Sequence, residues 1–241
     1  KIAGKDGGVD PGRLETGTDL SLWKQPLMMR GYWNLDGTLG AISNGQSIFP
    51  DLSGTGNNGA SVNTNGIGMS FVAGKLGTAV QFDGTDDKVE IPNNSTLDCT
   101  GELTIMAWIK TSSTGSSEDV ITKYGLGGSG LSYMLVSGAN STGRVSFYNS
   151  GWFNTNKATN NNTWHHVAAT TNGSTYKVYI DGLVNISGST SSISISTSTV
   201  AIGGPNSNNW GSYFNGAIDE AAIYNRVLTD GEIQAIYNSI K

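Results

Sequence analysis

The stretch that decides the fold of this chain is Thr175-Tyr176-Lys177-Val178-Tyr179-Ile180-Asp181-Gly182-Leu183-Val184-Asn185-Ile186. The Asp181-Gly182 pair separates two runs of alternating side chains. Such a pair predicts a type I′ hairpin turn, because both central residues of that turn need φ > 0. Residues 164–170, just upstream, predict a further strand. Three antiparallel strands in succession therefore indicate an all-β protein.

The composition extends this prediction to the whole chain of 241 residues. Gly is abundant at 34 residues, Pro is scarce at 5, and charged residues make up only 14%. This balance suits short strands joined by tight polar turns. Further predicted strands, among them 103–109, 192–195 and 216–224, follow at the density of two packed sheets. We predict a two-sheet antiparallel β-sandwich in which the first and last strands pair.

The charge and the apolar pattern exclude several classes of protein. The net charge of −5 and the lack of a basic stripe exclude nucleic-acid binding, which needs cations to neutralise phosphates. No apolar run reaches the roughly 18 residues of a membrane-spanning segment. Cys99 is alone, so an internal disulfide is impossible, and we predict a small, half-buried apolar role for it.

The chain divides into two parts. Residues 1–30 are polar and Gly-rich and predict an N-terminal arm or linker, and residues 31–241 form the predicted domain. The chain opens without Met, so we expect it to be a fragment of a longer protein. Near the other end, Thr229 and Glu232 match a capping box. Ile233, Ile236 and Tyr237 then recur at helical spacing, which predicts a short C-terminal helix on the sandwich.

Eight segments occur in an order that resembles a known family; they are 31–36, 51–59, 74–84, 89–92, 103–110, 163–168, 179–182 and 214–226. Together they are similar to the laminin-G-like jelly-roll domains of the concanavalin A-like lectin/glucanase superfamily. The resemblance implies a jelly-roll sandwich and leaves function open, because that fold hosts lectins, adhesion modules, enzymes and spacers. Residues 17–23 are also similar to the region after the stalk in bacterial type IV pilin-like proteins, which implies an exposed surface head.

Calcium is the cofactor that the resemblance implies. Ca²⁺ takes six to eight oxygen ligands from carboxylates, amides and backbone carbonyls. The loop of residues 51–59 offers Asp51, Asn57 and Asn58, and the resemblance implies that Asp219, on the last long strand, completes a structural site. The alternative is a plain turn with Asx hydrogen bonds.

Other metal sites are weaker hypotheses. A second acidic cluster, Asp83, Asp86 and Asp87, fits a polar hairpin loop better than an ion site. His165 and His166 are neighbours on a strand, so they point to opposite faces and cannot chelate one ion together.

Carbohydrate binding needs exposed rings beside polar groups, because the C–H face of a sugar packs on a ring while its hydroxyls seek amides and carboxylates. Trp33, Trp108 and Trp164 lie in strand patterns that predict burial. The remaining candidates are predicted to lie in Asn-rich loops; they are Trp152, Phe153, Asn154, Trp210 and Tyr213, with Tyr124 and Tyr148 as additional rings. The alternative is that these rings cap the ends of the sandwich.

Catalysis has little support in the sequence. Glucanases of the resembled superfamily carry a Glu-x-Asp-x-x-Glu pattern, which is absent, and Asp219 and Glu220 are expected to point apart on their strand. We therefore expect that the protein is not an enzyme and has no catalytic residue.

The predicted function is that of a non-catalytic extracellular or cell-surface module. We expect it to bind carbohydrate or an extracellular protein, to be stabilised by calcium, and not to insert into a membrane. The alternatives are a structural or adhesive pilin-like head without a small ligand and, more distantly, a glycoside hydrolase or polysaccharide lyase.

Overall fold

The structure, a computed structural model, describes residues 28–37, 40–41, 47–62, 69–124, 131–139, 141–206 and 212–240. Within these residues the strands are β1 Met29–Trp33, β2 Gly40–Ala41, β3 Ile48–Phe49, β4 Gly59–Val62, β5 Ser70–Ala73, β6 Thr78–Asp83, β7 Lys88–Ile91, β8 Leu103–Lys110, β9 Glu118–Tyr124, β10 Leu131–Ala139, β11 Arg144–Tyr148, β12 Trp152–Ala158, β13 His165–Thr171, β14 Thr175–Ile180, β15 Leu183–Ser189, β16 Val200–Ile202 and β17 Asn215–Tyr224. The helix α1 spans Asp230–Ile240. The N-terminal arm predicted at 1–30 lies outside the described residues up to position 27.

The strands form two antiparallel sheets, which confirms the predicted sandwich. Sheet A has the order β15-β14-β13-β8-β17-β6-β5-β2, with β1 paired to β17, and sheet B has the order β12-β11-β10-β9-β16-β7-β4-β3. The pairing of β1 with β17 joins the first and last strands of the described chain, as predicted. The sandwich begins inside the predicted arm, because Met29 already pairs with Tyr224.

The hairpin turn that anchored the prediction has the expected backbone. Asp181 has φ of 55° and Gly182 has φ of 77°, and Ile180 pairs directly with Leu183 across the turn. An Asp tolerates the left-handed region better than most residues, and a Gly enters it at no steric cost. The local sequence therefore accounts for this turn.

The main core fills the space between the sheets. Trp33, Phe82, Ile105 and Phe147 are among its buried side chains. Cys99 also lies there and is 2% exposed, more deeply buried than predicted, and burial raises the pKa of its thiol to about 12. A second apolar cluster lies on the outer face of sheet A, beneath α1.

The helix begins at the predicted capping box. The Thr229 N–H donates to Glu232 Oε2 at 2.8 Å, and the Glu232 N–H donates back to Thr229 Oγ1 at 3.2 Å. Ile233 and Ile236 are buried against the outer face of sheet A. Capping and an apolar stripe together explain why a short helix is stable here.

Two local predictions were wrong. Residues 192–195 form no strand, although Ile193 is buried. The segment with Trp152, Phe153 and Asn154 is not a loop, since it forms the edge strand β12 of sheet B. Its many Asn residues hid the alternation, because polar side chains also occupy the solvent side of an edge strand.

Candidate functional site

The outer face of sheet B carries a row of directly opposed side chains. Trp152 pairs with Tyr148, Tyr148 with Met134, and Met134 with Thr122. Trp152 is 50% exposed, and its ring centroid lies 5.0 Å from that of Tyr148 at an angle of 55°. Burial, followed by the nearby Tyr124, raises the pKa of Tyr148.

Polar groups flank this aromatic pair. Two pairs along the ladder, on the same face, Asn154 lies opposite Ser146, and the Ser146 hydroxyl donates to Asn154 Oδ1. Asn154 is exposed and Ser146 is buried. An exposed ring pair next to an amide is the combination that the C–H face and the hydroxyls of a sugar require.

Asp119 ends the neighbouring row, which runs from Asn154 through Ser146 and Val136, and it was missed from the sequence. Val136 pairs with Ser146 on one side and with Asp119 on the other. The Asp119 side chain is fully buried, and neither carboxyl oxygen accepts a hydrogen bond from any described residue. Burial raises its pKa well above the ordinary value. An acidic residue directly before the apolar pair Val120-Ile121 was the available signal, but its face became clear only from the register.

Phe153 lies on the opposite face of β12 from Trp152. Its ring stacks on Tyr176 of sheet A at 3.8 Å and 19°, and it contacts Phe147 at 6.4 Å. Phe153 therefore closes the interior at the edge where the two sheets meet, and it cannot share one ligand surface with Trp152. The alternation of a strand separates two rings that a loop could have presented together.

The other two predicted ligand-binding rings are not placed beside Trp152. Trp210 lies outside the described residues. Tyr213 is half-buried and lies against Gly204, where a Cβ would be 2.7 Å from Tyr213 Cδ1. Gly204 follows β16, which is four strand positions from β12, or roughly 19 Å at the usual strand spacing.

The predicted calcium loop is an extensively hydrogen-bonded turn. Asp51 Oδ1 accepts from the N–H groups of Tyr32 and Ser53, and Oδ2 accepts from Thr55 Oγ1 and the Asn57 N–H, at 2.8–3.1 Å. Burial alone would raise the pKa of Asp51, but these hydrogen bonds outweigh it and lower the pKa. The Asn57 amide group is also used, since Nδ2 donates to the Arg30 carbonyl at 2.6 Å.

Asp219 belongs to a different network. Its Oδ2 accepts from the N–H groups of Lys75 and Leu76 at 2.8 and 2.9 Å, in the turn between β5 and β6. These donors lie outside the loop of Asp51, whose own carboxyl group is held by residues 32–57. The three predicted ligands thus do not form one donor set in this structure, and calcium stays a prediction.

The expectation that Asp219 and Glu220 point apart was wrong. The ladder between β17 and β8 shifts between Asp219 and Ala222, and Glu220 has φ of 53°, so a β-bulge interrupts the alternation. Asp219 lies opposite Trp108, and Glu220 accepts from the Tyr32 hydroxyl. Both carboxyl groups are fully buried on the helix-covered face of sheet A. Burial, followed by the Glu220 charge, raises the pKa of Asp219 well above its ordinary value.

The second acidic cluster is compact. Carboxyl oxygens of Asp83, Asp86 and Asp87 lie within 4.8 Å of one another. Burial first, and then the charge of Asp83, raises the pKa of Asp87 to about 6. Its Oδ2 accepts from the Asp83 N–H at 3.2 Å, as in the polar hairpin loop that the sequence favoured.

The two adjacent histidines have separate surroundings, as predicted. His165 Nδ1 lies 2.9 Å from Asp181 Oδ2, whereas the His166 ring packs edge-on against Trp108 at 5.4 Å. Burial lowers the pKa of His166 to about 4. The two imidazoles therefore do not meet at one ion.

Comparison with solved structures supports the fold. Domain 4 of AbnA, a GH43 extracellular arabinanase from Geobacillus stearothermophilus, in complex with arabinotriose, is 18% identical with a TM-score of 0.66, over 87% of this chain and 98% of that chain. A botulinum neurotoxin type C structure, whose report links cell entry to two ganglioside molecules, is 16% identical with a TM-score of 0.61, over 86% and 52%. Trypanosoma rangeli sialidase is 18% identical with a TM-score of 0.60, over 86% and 32%.

These likenesses concern the fold, and the chain spans only about half of the neurotoxin structure and a third of the sialidase. No curated protein matches the chain. In the described part of the chain, no helix is both long and apolar enough to cross a membrane. The family model described as the concanavalin A-like lectin/glucanases superfamily matches residues 83–234, more than half of the sequence. The chain therefore belongs to the concanavalin A-like lectin/glucanases superfamily.

Proposed function

We propose that this chain is a non-catalytic carbohydrate-binding module whose ligand lies on the outer face of sheet B along β11 and β12. The observation that carries the proposal is the half-exposed ring of Trp152, paired with Tyr148 and flanked by Asn154. A large ring left half-exposed at a strand edge is a candidate contact surface, because aromatic anchors dominate the energetics of binding sites.

The solved neighbours support the same class of ligand. One is reported in complex with arabinotriose, and another is linked to gangliosides. The arabinanase is also described as extracellular, which supports an extracellular or cell-surface location for this chain. The pilin-like and adhesive alternatives, and an extracellular protein as partner, stay predictions.

The experiment is isothermal titration calorimetry with arabinotriose and, separately, with lactose, two neutral sugars without a carboxylate. We expect one of these probes to bind, and we expect Trp152→Ala to weaken it by roughly tenfold or more, the size of a hot-spot truncation. Tyr148→Ala should also weaken binding, because its ring extends the same surface.

The matched control is Leu183→Ala. Leu183 is 61% exposed and begins the edge strand β15 of sheet A, so the substitution removes a comparable exposed apolar group from the other sheet. Binding that is equally weakened in Trp152→Ala and Leu183→Ala would contradict the proposed surface. No binding of either probe by the wild-type chain would favour the structural alternative.

Calcium is a separate proposal, confined to the loop of Asp51 and Asn57. It is supported by the concentration of oxygen atoms in this loop. To bind Asp51, an ion would have to replace the N–H and O–H groups that already donate to its carboxylate. The test is thermal unfolding with excess Ca²⁺ and with a chelator. An ion at a hundredfold excess over its Kd stabilises the native state by about 2.7 kcal/mol, and Asp51→Ala should abolish that shift. An equal Tm in both buffers, together with no metal by elemental analysis, would remove calcium from this loop.

A further inference from the structure

The outer face of sheet A carries a cleft that the sequence did not indicate. It has a volume of about 350 Å³ and lies where the end of β8 meets the start of β17 and the hairpin of β5 and β6. Ala217 pairs with Lys110 on one side and with Gln81 on the other. The cleft therefore lies on the opposite sheet from Trp152, and a ligand bound there would be distinct from the one proposed for sheet B.

The floor of the cleft is built from small residues. Gly216 and Ala217 line it, and a Cβ at Gly216 would lie 2.4 Å from the Lys110 carbonyl oxygen. That distance is impossible for a real Cβ, so the close approach of β17 to β8 requires a glycine here. Because no large side chain projects from this floor, a ligand has space beside the polar side chains of the rim.

Lys110 is the charged residue of the lining. No carboxylate in the described part of the chain lies within ion-pair distance of its ammonium group. The nearest acidic residue in the ladder is Asp219, opposite Trp108 and two residues along β17 from the partner of Lys110, and its Oδ2 accepts from the Lys75 and Leu76 N–H groups. Lys110 is only half-buried, so its ammonium group can reach a ligand in the cleft.

Neutral hydrogen-bonding groups complete the rim. They are the side chains of Gln81, Thr111, Ser112, Asn162 and Asn215. Gln81 Nε2 donates to the Phe82 carbonyl at 3.0 Å, and Thr111 Oγ1 donates to the Asn215 carbonyl at 2.6 Å. These contacts hold two rim residues in place, while Asn162 and Asn215 are exposed at the surface.

We infer that this cleft binds the carboxylate of an acidic sugar through Lys110, with the rim amides accepting from and donating to its hydroxyls. A carboxylate supplies a partner for the ammonium, and charge-assisted hydrogen bonds are stronger than neutral ones. The volume of the cleft lies at the lower end of the range for ligand pockets and suits one monosaccharide. The acid has two candidate sources, a uronic acid residue of a polysaccharide or a terminal sialic acid.

The test is a ¹H–¹⁵N NMR titration of the whole chain with methyl glucuronide, with the methyl glycoside of N-acetylneuraminic acid, and with neutral methyl glucoside. We expect at least one acidic sugar to shift the amide signals of Lys110, Asn162 and Asn215, and the glucoside to shift them far less. Which acid binds identifies the source. Lys110→Gln should weaken that binding roughly 10- to 100-fold, the value of a hydrogen bond to a charged group.

Two control variants distinguish binding in this cleft from a general effect of charge and from binding at the Trp152 surface. Lys157→Gln removes the same charge from a side chain that is 52% exposed and paired with Asp181, and it should leave the affinity unchanged within about twofold, since distant exposed charges are screened. Trp152→Ala should also leave it unchanged, so failure here and failure of the proposed function are distinguishable. Equal shifts with all three sugars, or equal affinity in wild type and Lys110→Gln, would overturn the inference.

Discussion

Two tryptophans, one on the outer face of each sheet, differ in solvent exposure. Trp108 on sheet A is 1% exposed and stacks on Tyr237 of α1 at 5.5 Å. Trp152 on sheet B is 50% exposed, and its ring lies against that of Tyr148 on the neighbouring strand. A ring on the outer face of a sandwich strand therefore belongs to the core where a helix covers it and to the accessible surface where nothing in the described residues does.

The largest effect is expected from removing the covered ring. Trp108→Ala should lower the free energy of unfolding by about 3–5 kcal/mol, because it leaves a cavity beneath α1. Trp152→Ala should change it by no more than about 0.5 kcal/mol, as is usual for surface positions. Urea denaturation of both variants measures the two values. A loss in Trp152→Ala as large as that in Trp108→Ala would show that Trp152 is part of the core.

A second contrast concerns two buried aspartates, one on each outer face. The carboxyl group of Asp119 on sheet B accepts no hydrogen bond from the described residues, whereas Oδ2 of Asp219 on sheet A accepts from two N–H groups. Asp119→Asn removes the buried, unpaired negative charge and should therefore raise the free energy of unfolding at pH 7 by up to about 3 kcal/mol, since an unpaired buried group costs more when it is charged. Urea midpoints across pH measure this gain.

The sign of the pH dependence is set by the raised pKa of Asp119. A carboxyl group whose folded pKa lies above its unfolded value binds protons more tightly when folded, so it destabilises the native state as pH rises above the unfolded value. The advantage of Asp119→Asn should therefore be largest at neutral pH and vanish below about pH 4, the ordinary pKa of an aspartate. A constant advantage at all pH values would contradict a buried charge as the cause.

Of the two aspartate substitutions, the smaller effect is expected from the matched change on sheet A. In Asp219→Asn the amide oxygen can still accept from Lys75 and Leu76, and the loss of charge relieves repulsion from Glu220. The amide is a weaker acceptor than the carboxylate, so the two effects oppose each other. The free energy of unfolding at pH 7 should change by less than about 1 kcal/mol, the net value of one hydrogen bond, which urea denaturation measures. A gain equal to that of Asp119→Asn would mean that the two donors contribute nothing.

The predicted and observed site residues differ for one local reason. The sequence identified Trp152 and Asn154 but grouped them with Phe153, since an Asn-rich segment resembles a loop. In β12 the side chains alternate, so Phe153 packs on Tyr176 while its neighbours face outward. Ser146 and Asp119 could be added only once the register from β12 to β9 was known.

Features with local causes can be predicted from neighbouring residues alone. Asp181-Gly182 imposes its turn through backbone sterics, Thr229 and Glu232 cap α1 through reciprocal hydrogen bonds, and alternating patterns specify the sandwich. Three other features required the folded structure: which outward rings are covered, where the β-bulge turns Glu220, and how Lys110 meets Gln81 across β17. Those features depend on strands that are distant in sequence, and pairing between them is set by the packing of the whole sandwich rather than by neighbouring residues.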